Sequence, residues 1–363
     1  QLLFLQSAVA KMDDHVGRAA IISNGSPLFT GGTASGESQI RRWLLENDLV
    51  EAIIQMPNDL FYNTGISSFC WILSKSKRPE RIGKIQLIDA SGICHKLRKP
   101  LGSKKNEFTS EDREVITKLY CDFEENEFSK IYNNTEFIYR EYTVMQPLQR
   151  RYEITDESIE RLMQSGVLSK LYDEAKVLEL EEKGENMTAK ERTKLEDFKK
   201  SKQQYDSILD ALNAAKSEEK YMSPEAFLPV INKVLPDVDS KLVDKIADAL
   251  SVMDKNAEIQ REKKGKNKGE IIYDKDTKDT EIVKYDEDIE DYMAREVLPH
   301  IPDAKWFFEE NLAAKKPVIK TGAEIPFTRC FYKYQKQAKS EDIEARMAAL
   351  VKEAGEIEKR LFG

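Results

Sequence analysis

The alternation of apolar and polar positions changes character near residue 142. Before it, short apolar runs alternate with helical periods. LLFLQSAVAKM places Leu2, Leu3, Leu5, Val9 and Met12 at nearly helical spacing, and ESQIRRWLLEN (37 to 47) puts Ile40, Trp43 and Leu44 on one helical face. GRAAIIS (17 to 23), LVEAIIQM (49 to 56), SSFCWILSK (67 to 75) and GKIQLIDAS (83 to 91) are brief runs bounded by Gly, Pro or Asn, as strands are. No helical period separates the last two, which predicts neighbouring antiparallel strands or a hairpin at one edge of an otherwise parallel sheet. DREVITKLYCDF (112 to 123) reads as a helix. The first 142 residues are therefore expected to form an α/β domain.

From residue 143 to about 330 long charged helices dominate, at roughly 156 to 182, 188 to 219, 223 to 233 and 239 to 262, with Ser223-Pro224 and Asp237 to Ser240 as start signals. REKKGKNKGE opens a charged loop at 261 to 280, and an amphipathic helix within 279 to 307 ends before Pro299. The last segment, 340 to 363, carries a heptad. Ile343, Leu350 and Ile357 fall at d, and Met347, Ala354 and Leu361 at a. Such a seam suits packing along a partner helix, and equally a helix folded back on its own domain.

Composition narrows the chemistry. The 363 residues hold 40% hydrophobic and 34% charged side chains, a globular balance, and their length exceeds the usual single domain. The longest charge-free run, between Arg18 and Glu37, is full of Ser, Gly, Thr and Pro, so no membrane span is expected. Four cysteines without a C-x-x-C pair and three isolated histidines point to no metal site and no disulfide framework, which fits a reducing cytoplasm. FTGGTASGES precedes a helix but lacks both the P-loop ending and the G-x-G-x-x-G fingerprint. A net charge of −8 argues weakly against a purely electrostatic nucleic-acid binder. Its distribution is uneven, however: ten basic residues between Lys75 and Lys105, Lys75, Lys77, Arg78, Arg81 and Lys84 among them, face only Glu80 and Asp89. That stretch is either a phosphate-contacting patch or a solvated basic face. Next to it, the turn-rich Phe61, Tyr62, Asn63, Thr64 and Gly65 follow an apolar strand. Its aromatic rings either stack on a planar base or cover the sheet edge.

GRAAIISNGSPLFTGG, IRRWLLENDLVEAIIQMPNDLFYNTGISSFCWILSKSK and GKIQLIDAS, with DTEIVKYDEDIEDYMAREVLPHIPDAKW and EIPFTRCFYKY, strongly resemble the DNA-methylation (M) subunit of type I restriction-modification enzymes. The resemblance implies part of a doubly wound S-adenosylmethionine-dependent methyltransferase sheet, followed by an α-helical C-terminal domain. It implies methyl transfer to N6 of an adenine flipped out of double-stranded DNA, in the cytoplasm, with no metal and no membrane. Phe61 and Tyr62 would contact the target base, Asn63, Thr64 and Gly65 would shape that pocket, and Lys75, Lys77, Arg78, Arg81 and Lys84 would meet the DNA backbone. The helix carrying Ile343, Met347, Leu350, Ile357 and Leu361 would join a specificity (S) subunit, alongside a second methylation subunit and a restriction (R) subunit. No N-P-P-[F/Y] motif and no Gly-rich cofactor turn occur in the chain, so no catalytic residue carries over; both are expected upstream of Gln1, and the chain alone is expected to be inactive. A different expectation is a non-catalytic interaction scaffold binding DNA and partner subunits. A nucleotide-dependent oxidoreductase is disfavoured by the absence of a dinucleotide fingerprint.

Overall fold

A computed structural model describes residues 1–334 and 338–362, with nothing said of the Phe362 side chain. The chain divides into two compact units: Gln1–Glu141 with Ile282–Glu287 and Glu309–Gly363, and Tyr142–Glu281 with Asp288–Phe308. Residues 309 to 330, expected in the helical part, thus belong to the first unit.

In the first unit, α1 (Leu2–Lys11), β1 (Arg18–Ser23), α2 (Ser26–Phe29), α3 (Gly36–Glu46), β2 (Val50–Gln55), β3 (Phe69–Ser74) and β4 (Lys84–Asp89) follow the apolar pattern closely. They continue into β5 (His95–Leu101), β6 (Lys104–Glu107), α4 (Ser110–Asp122) and β7 (Ser129–Asn133). The main sheet has the order β1-β3-β2-β4-β7. β3 runs antiparallel to both its neighbours, β2 and β4 are parallel, and β7 is antiparallel to β4. β3 and β4 are therefore not the expected neighbours. Both edges of β3 are already hydrogen-bonded, to β1 and β2, so the chain crosses over β2 before pairing again.

β2 is buried on both faces, as VEAIIQ requires of a central strand, whereas β1 at the edge leaves alternate residues exposed. One face packs Trp71, Leu73, Ile85 and Leu87 against Leu5 and Val9 of α1 and Leu44 and Leu45 of α3. The other packs Ile54, Ile88 and Ala90 against Ile116, Leu119 and Tyr120 of α4. Helices on both faces make a three-layer α/β arrangement. Ser35 caps α3 by accepting from the Ser38 amide, and Thr109 with Asp112 forms a capping box on α4.

β8 (Ile138–Pro147) runs from the first unit into the second. The second unit holds β9 (Arg150–Tyr152), α5 (Asp156–Gln164), α6 (Glu174–Lys183), α7 (Ala189–Ala214), α8 (Pro224–Val234), α9 (Ser240–Leu250) and β10 (Ser251–Met253). Its core joins Ile159 and Leu162 to Leu212, Phe227, Ile231, Ile246 and Leu250. Two expected helices are shorter than their periodicity. The run from 156 to 182 breaks at Gly166, whose φ of 70° leaves the helical region, and the run from 239 stops at Leu250 because residues 251 to 253 pair with β9. The expected loop from 261 to 280 contains the start of a strand, β11 (Tyr273–Lys284), beside β8. Its alternation is polar on both faces, which hid it among charged residues. α10 (Ile289–Tyr292) with a π-turn over Met293–Val297 forms the helix ending before Pro299, and β12 (Lys305–Phe307) pairs with β8.

After re-entering the first unit at Glu309, the chain forms β13 (Thr321–Ala323), which pairs with β8, and α11 (Phe327–Cys330). The final helix, α12 (Ser340–Phe362), leaves all six seam positions exposed, from Ile343 at 49% to Leu361 at 69%. No described residue covers that seam.

Candidate functional site: a cleft at the strand ends and its bordering loop

The apolar strand β1 ends in Ser23-Asn24-Gly25-Ser26-Pro27, a turn whose Pro27 starts α2. The turn packs closely at Gly25, where a Cβ would stand 3.1 Å from the Phe69 ring. The Trp71 indole N–H donates to Ser23 Oγ at 3.1 Å, and Ser23 donates to the Asn24 carbonyl, so the turn is tied to the middle of β3. The buried Arg41 guanidinium reaches from α3 to the carbonyls of Pro27, Thr30 and Ala323. It thereby joins two segments almost 300 residues apart in sequence, and burial lowers its affinity for its proton.

These ties create a cleft of about 590 Å³ at the carboxyl ends of β1 and β2, where α/β sheets place their ligands. Phe29, Gln55, Ile66, Phe69 and Arg329 line it, with Phe29 and Ile66 more than half exposed. Phe327 stands edge-on to Phe69 at 5.2 Å and closes the wall contributed by α11. An apolar floor with a few polar groups at its rim suits a planar, partly polar ligand. Among its walls, Phe29, Phe327 and Arg329 were not singled out by the sequence pattern.

The stretch between β2 and β3 borders this cleft. Gln55 donates to Ser67, and Ser67 to Asn58 at 2.6 Å, while buried Leu60 anchors the loop from below. Asp59 and Asn63 have φ of 54° and 57°, the left-handed region that Asn and Asp tolerate best. A Cβ on Gly65 would lie 3.3 Å from the Asp59 carboxylate, so the turn is tight there. Phe61 and Thr64 are half-buried, and Tyr62 is 63% exposed. Ile66 and Ser67 line the cleft, and the residues Phe61 to Gly65 do not.

The expected DNA-backbone set separates in the structure. Arg81 is buried: it donates to Gln86 and to the Tyr120 carbonyl, lies 3.6 Å from Glu51, and stacks on the rings of Tyr120 and Phe123. Lys77 is equally enclosed, donating to Asp48 and to the Lys84 carbonyl, and burial pulls its pKa down. Lys75 pairs with Asp14 and donates to the Met12 carbonyl. These three hold the first unit together, because the carboxylates that neutralise them come from distant segments. Arg78 and Lys84 remain exposed. The other basic residues of the patch fall on the β5–β6 hairpin, where His95 Nδ1 lies 2.9 Å from Asp112 at the start of α4. That hydrogen bond raises the imidazole pKa and holds the Asp112 carboxyl below its usual range.

Residues 1–158 match the family model for the N-6 DNA methylase. The type I restriction enzyme MjaVIII methylase subunit of Methanocaldococcus jannaschii is 32% identical over 158 residues, 43% of this chain and 26% of that protein. The HindI methylase subunit of Haemophilus influenzae is 29% identical over 109 residues, 30% of this chain and 23% of that one. Among solved structures, the methyltransferase subunit of a type I restriction-modification system from Streptococcus thermophilus shares 28% identity, covering 38% of this chain and 27% of its own, with a TM-score of 0.33. This chain spans about a quarter of the length of the curated relatives it matches.

Proposed function

Since residues 1–158 are sequence of the N-6 DNA methylase family, related to type I restriction-modification methylase subunits, we propose that this chain is part of such a subunit. The activity of the whole is methyl transfer from S-adenosylmethionine to adenine N6 in double-stranded DNA. The observation that carries this is the position of the match: it spans β1 to β7 and includes the strand-end turn, the aromatic loop and most of the cleft walls. Tyr62, exposed on the loop, and Phe61 beside it offer ring faces for a base swung out of its stack, and Asn63, Thr64 and Gly65 give the loop its shape. Stacking of this kind contributes roughly 1–3 kcal/mol per base.

S-adenosylmethionine supplies an electrophilic methyl group when bound. The Gly-rich loop ahead of α3 is closed at Gly31, where a Cβ would stand 2.2 Å from Ser35 Oγ, and open at Gly32 and Gly36, but it lacks both the P-loop ending and the G-x-G-x-x-G fingerprint and so does not fit as the holder of the cofactor. Neither the Gly-rich cofactor turn nor N-P-P-[F/Y] occurs in the 363 residues. The isolated chain, mixed with labelled S-adenosylmethionine and duplex DNA, is expected to transfer no methyl group. Measurable transfer would overturn the expectation that these residues lack the catalytic groups.

The exposed seam of α12 supports assembly with the specificity subunit, in a complex that also holds a second methylation subunit and the restriction subunit. Ile343, Met347, Leu350, Ile357 and Leu361 lie along a 23-residue helix with apolar groups in water. Covering one such leucine stabilises a contact by roughly 1.5–3 kcal/mol. Leu350→Glu is expected to weaken co-purification with the specificity subunit by about tenfold or more while the first unit stays folded. Equal co-purification would remove α12 from the interface. The same seam favours the second reading, an interaction scaffold without catalysis, which differs by leaving DNA methylation unchanged when the gene is lost.

A further inference from the structure

The β5–β6 hairpin contributes almost nothing to a core: six of the seven residues of β5 are exposed, and β6 alternates between half-buried and exposed. A two-stranded ribbon is marginal by itself. This one is instead fixed from outside. The Lys105 and Asn106 amides both donate to the Asp59 carbonyl at 2.9 and 3.1 Å, and the Asn106 side chain donates to the Asn58 carbonyl at 2.8 Å. Lys105 Nζ lies 3.4 Å from the Asp59 carboxylate, and His95 links the other strand to Asp112. Lys104 Nζ sits 5.2 Å from the centre of the Tyr62 ring. The ribbon is thus held in a fixed position against the aromatic loop.

Its charge is the opposite of the whole chain. Lys96, Arg98, Lys99, Lys104 and Lys105 stand against Glu107, in a protein of net charge −8. Lys104 and Lys105 have partners on the loop, but among the described residues the side chains of Lys96, Arg98 and Lys99 have no ion pair or hydrogen bond. The ladder is irregular between Lys96 and Leu101, so Arg98 and Lys99 are carried on a stretch released from strict pairing. Three like charges within four residues repel one another, and a surface that keeps them without carboxylates is suited to a polyanion.

We propose that the β5–β6 hairpin is a wing that grips the phosphate backbone of duplex DNA through Lys96, Arg98 and Lys99, flanking the base approached by Tyr62. This rests on the DNA-methylation function proposed above and replaces Lys75, Lys77 and Arg81 as the source of the backbone contacts. The cation–π contact between Lys104 and Tyr62 couples the two parts: the ring that meets the base also orients the wing. Phosphate contacts of this kind position the protein without reading sequence.

The test uses the full chain and a fluorescent duplex of about 30 base pairs, with affinity followed across a salt series. Each phosphate contact adds about 0.9 to the slope of log affinity against log salt, so K96Q/R98Q/K99Q is expected to reduce the slope by about 2.7 and to weaken binding at about 100 mM salt by more than tenfold. The charge-preserving K96R/K99R keeps the slope. Because these side chains are exposed, the thermal unfolding of both variants matches the parent. Parent binding with an unchanged slope in the triple glutamine variant overturns the wing and leaves the methylase assignment standing. Loss of binding to an acidic partner protein with DNA binding intact also overturns it. A parent chain that does not bind the duplex even at about 50 mM salt overturns both the wing and the DNA-contacting role of the Tyr62 loop.

Discussion

Trp71→Ala will destabilise the first unit by about 3–5 kcal/mol, a large part of the roughly 5–15 kcal/mol that holds a domain folded. The side chain is fully buried in β3, the strand with a partner on each edge, and packs in the cluster shared by α1 and α3. Its removal leaves a cavity beneath two helices and deprives Ser23 of its indole donor. The loss therefore spreads to the Asn24-Gly25 turn, which forms one wall of the cleft. Hydrogen exchange should show protection falling across β1, β2 and β3, with Trp71→Phe keeping most of the packing while losing the indole hydrogen bond and part of the ring volume. A destabilisation below about 1 kcal/mol would mean that the sheet is not organised around this residue.

Arg81→Ala is expected to cost about 3 kcal/mol, near the lower end of what breaking a buried ion pair costs, because Glu51 retains two other partners. Arg18 donates to Glu51 at 2.9 Å, and the Tyr120 hydroxyl donates to it at 2.7 Å. The substitution also removes the guanidinium from between the Tyr120 and Phe123 rings and leaves Gln86 Oε1 without its donor. The salt dependence of DNA binding, measured at a temperature where the variant is folded, should be unchanged. A slope reduced by about 0.9 with normal stability would return Arg81 to the DNA backbone, where its sequence neighbours placed it.

The Arg81 case shows what the sequence could not reveal. A count of basic residues from 75 to 105 registers charge but not its neutralisation, and Asp14, Asp48 and Glu51, which absorb Lys75, Lys77 and Arg81, precede the patch. The elements within the first unit were legible because each follows from local periodicity: α3 from Ile40, Leu44 and their neighbours, β2 from an unbroken apolar run. Their pairing was not, since nothing in SSFCWILSK indicates that both edges of β3 are taken. The cleft was half legible. Its Asn24-Gly25 turn and aromatic loop stand out in sequence, but the Phe327 wall arrives from a segment that returns through the helical unit. In that unit a single residue, Gly166, ended a helix that the charge and apolar periods would have carried on.

The central claim, that the chain belongs to an adenine-methylating subunit, is tested most directly by deleting its gene and mapping N6-methyladenine across the host genome. Loss of methylation at one recurrent sequence motif, restored when the gene is returned, is the result expected. An unchanged methylation map in the deletion strain would contradict the account and leave the interaction scaffold as the function that remains.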